Sequence, residues 1–274
     1  MQPGIFAKTF AAQGAVAVLT AVRDAGYTAA QFNMACLGLP PMPDAITPDV
    51  ARGIAAASRG TGVAIAAVSA TYNMIHPDRS VRDSGMRRLG VMTGAARAMG
   101  TTLVTLCTGT RDTHDQWRFH PDNGRPEAWR DLLIEMEKAV KFAEAGGIDL
   151  GIEPELANVV SSATAARRLI DEMASPRIRI VLDPANLFEV AEAEDRKTII
   201  ARAADLLGNR IVMAHAKDRR ADGRFIAAGQ GVIDFRHFVD CLRGAGFDGP
   251  LVTHGLGESE APSVAAFLKR VIAA

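Results

Sequence analysis

Cysteine is scarce. The chain carries only Cys36, Cys107 and Cys241, far apart, and no CxxC pair. That excludes a zinc knuckle and a dithiol redox couple, and the thiols read as small buried apolar groups in a reducing compartment. A charge excess is also missing. Lys+Arg and Asp+Glu both number 31, so the formal net charge is zero. A protein built to grip a nucleic-acid backbone carries basic patches. Here the pairs Arg87/Arg88, Arg167/Arg168 and Arg219/Arg220 stand isolated and read as solvated faces. No apolar run approaches the ~18 residues that span a bilayer. The opening "MQPGIFAKTF" lacks the charged region and apolar run of a signal peptide. The cytoplasm is the expected location, with no nucleic-acid or membrane partner. A linker rich in Pro, Gly or Ser is absent too, so residues 1–274 are expected to form one domain.

What is present is core and periodicity. The 274 residues are 48% hydrophobic and 23% charged, an ordinary globular balance. Apolar strand signals fall at 4–10, 27–34, 62–71, 101–109, 148–154, 177–183, 210–216 and 249–254. Helical spacing follows each one, at 14–26, 48–59, 80–100, 126–147, 161–173, 195–207, 234–245 and 261–272. Thr47-Pro48 supplies an N-cap and a proline at the first helical position. The strands are apolar throughout rather than alternating, as expected of a sheet covered on both faces. Eight βα units predict a (β/α)8 TIM barrel, a fold that runs to about 250 residues as one domain. A doubly wound open sheet is the alternative.

Active sites of such barrels lie at the C-terminal strand ends. Glu153, Asp183, His215 and His254 all fall at or beside the ends of strands five to eight. Carboxylate oxygens and imidazole nitrogens are what a divalent cation takes, and four donors from neighbouring strands can surround a point near the barrel axis. Glu155 shares strand parity with Glu153 and can face inward. His76 follows strand three and can bind a substrate hydroxyl. Arg111 follows strand four and can hold a carboxylate or phosphate. Lys217 follows His215 and can reach a substrate oxygen, and Lys8 ends strand one. The long polar segment 110–124, with His114, Trp117 and His120, is a candidate lid. His237 sits inside a helical pattern and reads as structural. "AAGQGVIDF" holds a GxG but no GxGxxG after a strand, and reads as a turn before a helix.

In this order and spacing, "GIEPE", "VLDPANLF", "AHAKD" and "GPLVTHGLGE" resemble the xylose isomerase-like TIM-barrel superfamily. That superfamily contains sugar-phosphate isomerases and epimerases, ketose 3-epimerases, inosose dehydratases and type 2 apurinic endonucleases. "AVSATYNMIHPD" and "TLCTGTRD" are also similar to its sugar isomerase/epimerase members. The resemblance implies that Glu153, Asp183 and His215 bind metal. Most members end the last strand with a metal-binding glutamate that serves as acid/base. This chain has His254 there, with Glu258 four residues later. Asn186 stands three residues beyond Asp183, where the endonucleases and ketose epimerases have a histidine, and it becomes a candidate substrate contact. The additional histidines of the endonucleases' trinuclear zinc set are not found.

The expected cofactor is a divalent metal ion, Mn2+ first, with Zn2+, Fe2+ or Co2+ as alternatives. The expected chemistry is isomerisation or epimerisation of a sugar or sugar derivative through a metal-stabilised cis-enediolate. Glu153 removes the proton, and His254 or Glu155 returns it. The alternatives are a lyase of the keto-inositol dehydratase kind and a non-catalytic sugar-binding barrel. The partner is a small sugar-like molecule, with homo-oligomers possible.

Overall fold

The computed structural model describes all 274 residues. Its strands are β1 (Gln2–Phe6), β2 (Ala29–Phe32), β3 (Ala64–Ser69), β4 (Leu103–Leu106), β5 (Asp149–Ile152), β6 (Ile178–Leu182), β7 (Ile211–Arg219), β8 (Phe225–Ala227) and β9 (Pro250–Thr253). All but β8 run parallel, each paired with the next, and β6–β7, β7–β9 and β9–β1 close the ring. This closure rules out the open sheet. Around the ring lie α1 (Ala15–Asp24), α2 (Pro48–Thr61), α3 (Arg79–Ala96), α4 (Pro126–Gly146), α5 (Ala163–Met173), α6 (Ala193–Leu207), α7 (Phe235–Gly244) and α8 (Ala261–Ala273). The molecule is a (β/α)8 barrel. None of its helices is long and apolar enough to cross a membrane.

Local chemistry sets the helix ends. Thr47 accepts a hydrogen bond from the Val50 N–H with Pro48 at the first position of α2, as expected. Asp78, Ser162 and Asp234 cap α3, α5 and α7 in the same way. The outer core lies between strands and helices, where Ile5, Phe32, Ile54, Leu89, Leu132, Leu150 and Leu169 are all buried.

Inside the barrel, side chains stack in layers. Ala67, Leu103, Val181, Met213 and Val252 form a small apolar cluster from five strands. Gly4 and Gly151 leave room for it, since a Cβ on either would lie 2.9 Å from a methyl of Val252 or Val181. Side chains alternate across a strand, so the next inward position is two residues further on. Those residues are Ser69, Thr105, Asp183, His215 and His254, and the same step from Ala29 and Gly151 gives Gln31 and Glu153. An apolar floor thus carries a polar layer, and the sequence of each of these strands but β1, where Gly4 is followed by Phe6, records the change.

Two expectations are corrected. The strand expected at 210–216 continues to Arg219, because Lys217–Arg219 pair antiparallel with Phe225–Ala227 in a hairpin. Strand one ends at Phe6, not Phe10. Ala7–Thr9 form a 3-10 turn, and Lys8 is exposed on it.

Candidate metal centre

Glu153, Asp183 and His254 are the first residues beyond β5, β6 and β9, and His215 lies within β7. Pro154 and Pro184 follow the two carboxylates. A proline holds the preceding residue in extended backbone and offers no N–H to continue a ladder. Asp183 is accordingly extended, with φ −109° and ψ 115°. Asp183 then caps the 3-10 turn Pro184–Asn186 by accepting from the Ala185 N–H at 2.8 Å. That turn aims Asn186 back at β5, where its Nδ2 donates to Glu153 Oε1 at 2.9 Å. His215 Nδ1 lies 3.1 Å from the same oxygen, and the two imidazole rings are 4.6 Å apart.

One donor atom from each of Glu153, Asp183, His215 and His254 can be chosen so that all lie within 4.8 Å of one another. Ligand bonds of about 2.0–2.2 Å separate opposite donors on one ion by at most about 4.4 Å. The side chains therefore need to close by only a few tenths of an ångström. Asp183 Oδ2 and His254 Nε2, both buried, have no hydrogen-bond partner, and neither has Asn186 Oδ1. The first two sit 3.4 Å apart but are not aligned for a hydrogen bond. Buried polar atoms without partners are rare and call for a missing water or ion. The donor set and these orphaned atoms fit a divalent cation.

Electrostatics suits three of the four donors, the two carboxylates and His254, to such an ion. Burial pushes the Glu153 carboxyl up, but the His215 charge and hydrogen bond outweigh it and hold the group lowered. Burial likewise raises Asp183, while the His254 ring and the Lys217 charge bring it down. Both carboxylates are ionised, as ligation requires. His254 is held low by burial and then by the neighbouring His215, which keeps its ring neutral. His215 is displaced the other way: burial lowers it, but Glu153 raises it further. Glu155 stands apart. Burial and then the Glu153 charge lift it to about 7.

Other expected residues divide into two groups. Lys217 faces the centre: its side chain is buried, its charge acts on Asp183 and Glu155, and its Nζ sits 3.5 Å from the Phe225 ring centroid. No carboxylate pairs with it. Gly255, at φ +73°, lets its stem pass, since a Cβ there would lie 3.3 Å from Lys217 Cδ. Asn186 contacts Glu153 directly. Arg111 and His76 belong elsewhere. Arg111 donates to the Ile75 carbonyl (2.9 Å) and to Asp131 (2.8 Å), so its expected role as a free anion holder is not what the geometry provides. His76 links two loops, its Nδ1 accepting from the Asp78 N–H and its Nε2 3.2 Å from the Thr113 carbonyl. Glu258 does not fold back. Its carboxylate accepts from the Ala11 N–H at 2.9 Å on the exposed rim.

Two residues of the polar layer were not expected. Gln31 Oε1 lies 2.8 Å from His215 Nε2, and Gln31 Nε2 donates to Thr105 Oγ1 at 3.0 Å. Their signal was available: each is a polar residue inside an otherwise apolar strand, on the parity that faces the axis.

The model of the xylose isomerase-like TIM barrel matches residues 19–271. The chain belongs to that family. No curated protein matches by sequence. Among solved structures, the family fold recurs in an L-ribulose 3-epimerase with a TM-score of 0.77 and 18% identity, over 99% of this chain and 94% of that one. It recurs in a D-psicose 3-epimerase from Clostridium cellulolyticum H10 at 0.73 and 15%, over 99% of both chains. A 3-keto-D-glucoside 4-epimerase from E. coli gives 0.75 and 14%, over 98% and 99%. At such identities the likeness is one of fold.

Proposed function

We propose that the chain is a divalent-metal-dependent isomerase or epimerase of a sugar or sugar derivative. One observation carries the reading: two carboxylates and two imidazoles gather within 4.8 Å at the catalytic end of a barrel. The sugar epimerases that share the fold lend support. Glu153, Asp183, His215 and His254 would hold the cation, which when bound supplies Lewis-acid polarisation of a substrate carbonyl. Mn2+, Zn2+, Fe2+ and Co2+ suit this donor set, and two nitrogen ligands make Mg2+ a poorer match.

The side chains do the proton work. A base must be ionised before it can accept a proton, and the lowered carboxyl of Glu153 favours that form. Glu153 takes the proton from the carbon next to the carbonyl, leaving an enediolate. A group balanced near neutrality can both accept and return a proton, and Glu155 at about 7 is such a group. His254, neutral and beside Asp183, is the second candidate for that return. Lys217 brings a buried ammonium to the site for a substrate oxygen, and Asn186 an unpaired carbonyl.

A lyase reading is favoured by one feature. The fourth member of the cluster is His254 and not a second glutamate, and loss of a β-hydroxyl needs no proton returned to carbon, only one given to the departing hydroxyl so that it leaves as water, which His254 or Glu155 would supply. The test is solvent exchange. The metal-loaded protein is incubated in D2O with a panel of ketoses, aldoses and keto-inositols. Deuterium enters at the carbon α to the carbonyl with the wild type and not with Glu153→Gln. Ultraviolet absorption of an unsaturated ketone would assign the lyase outcome. Absence of exchange and of elimination across the whole panel would overturn the reading.

A further inference from the structure

His215 can serve a cation only through a nitrogen that carries a lone pair. A neutral imidazole has one such nitrogen, and the bond made by the other decides which. Nδ1 faces the centre, 3.1 Å from Glu153 Oε1, while Nε2 points across the barrel at Gln31, 2.8 Å away. Gln31 is buried among strands and fixed at its far end by Thr105, which is buried as well. With Gln31 Oε1 toward the ring, Nε2 must donate, and Nδ1 is left with its lone pair toward Asp183, His254 and Glu153. Turned over, the amide would donate to Nε2. That would place the proton on Nδ1 against Glu153, where it would block the cation.

We propose that Gln31, anchored by Thr105, is a positioning residue that fixes His215 as the Nε2–H tautomer and so presents Nδ1 as the metal donor. The inference rests on the reading that the four clustered donors bind a divalent cation. It extends that reading to residues on β2 and β4, strands that carry none of the four clustered donors. Partners of this kind hold the ring's orientation and raise its basicity, and losing one typically costs 10–100-fold in metal affinity. Oxygen is the atom that matters, because only an acceptor selects Nε2–H.

Gln31→Leu removes the acceptor at similar size, and Gln31→Glu keeps it. Affinities for Zn2+, Mn2+ and Co2+ are measured by competition with a chromogenic chelator, with thermal melts to establish folding. The ligating nitrogen is read by 15N NMR of the diamagnetic zinc form, with the His215 signals assigned through His215→Gln. The expected result is Nδ1 ligation with a protonated Nε2 in the wild type. Gln31→Leu should lose about 10–100-fold in affinity, and Gln31→Glu should match or exceed the wild type. Nε2 ligation in the wild type overturns the inference. So does a Gln31→Leu protein that folds and binds metal as the wild type does, or a Gln31→Glu protein as weak as Gln31→Leu. In each of these outcomes the wild type still takes up metal and the proposed function stands. A folded wild type that binds none of the three ions would remove both readings.

Discussion

Two polar regions share the C-terminal end of the barrel strands, and they are satisfied to opposite degrees. The wall formed by the loops after β3, β4 and β5 is laced by three buried asparagines. Asn73 accepts from the Thr110 N–H and donates to the Asp112 carbonyl. Asn123 accepts from the Arg111 N–H and donates to the Ala157 carbonyl. Asn158 accepts from the Gly109 N–H and donates to the Gln116 carbonyl. Each amide uses both ends. In the centre beside it, Asp183 Oδ2, Asn186 Oδ1 and His254 Nε2 are buried with no partner at all. Burial alone does not distinguish them. A satisfied network fixes the backbone, whereas unpaired donors and acceptors held in place by a folded frame are groups that await a ligand. The other buried orphans, Arg82 Nε, Glu135 Oε2 and Arg179 Nε, belong to α3, α4 and β6 and not to the polar layer at the strand ends.

Substitution should separate the two regions. The largest effect is expected at the centre. Asp183→Asn replaces an anionic donor with a neutral amide and should abolish stoichiometric metal uptake, lowering affinity by at least about 100-fold. The fold should survive, because one of two neighbouring buried negative charges is removed. Elemental analysis and a thermal melt of the metal-free protein would check this. Retained metal, or collapse of the metal-free fold, would break the contrast. Next comes the wall. Asn158→Ala leaves the buried Gly109 N–H unpaired and frees the half-buried Gln116 carbonyl, a loss of about 1–3 kcal/mol. Urea denaturation should record it in both metal-free and loaded protein. Intrinsic metal affinity should hold within a factor of about two, since Asn158 touches no ligand. A wall that merely frames the centre predicts that division. A large affinity loss would show that the two regions are coupled.

The same contrast explains what could be read in the sequence. The clustered strand-end donors were legible because each interrupts an apolar run at the C-terminal ends of the strands. The eight βα units were legible for the same reason, through periodicity and caps such as Thr47-Pro48. Pairing was not legible. Arg111 has the charge and the location of an anion holder, but Asp131, twenty residues on, and the Ile75 carbonyl engage it. No local pattern announces a partner on another element. The hairpin was hidden for a related reason. Asp218 is fully buried, and its carboxylate collects the N–H groups of Arg219, Gly229, Gly231 and Ile233. That convergence organises a stretch which by composition alone reads as a polar loop. The Asp222-Gly223 turn was the one available sign, with Gly223 at φ +86°. Gln31 and Thr105 were overlooked because single uncharged polar residues in a strand do not stand out until parity is compared across several strands.

The smallest predicted effect concerns charge in the two regions. At Glu155, burial wins and the carboxyl rises to about 7. At Asp131, behind the wall, burial also pushes the carboxyl up, but hydrogen bonds from Arg111 and Arg82 outweigh it and the pKa is lowered. A carboxylate whose folded value lies below its unfolded one contributes stability that is fully present above the unfolded value, near 4, and is lost as pH falls through the folded value. Denaturation of the wild type and Asp131→Asn should therefore differ by about 1 kcal/mol at pH 6, the scale of a partly exposed ion pair. The two curves should converge as the pH falls below about 4. Comparing the pair at each pH cancels the titration of groups common to both proteins. A difference that stays constant as the pH falls below about 4 would mean that the Asp131 charge contributes nothing and that its shape alone braces Arg111. The satisfied wall would then be held by packing and backbone bonds, with ion pairing only incidental to it.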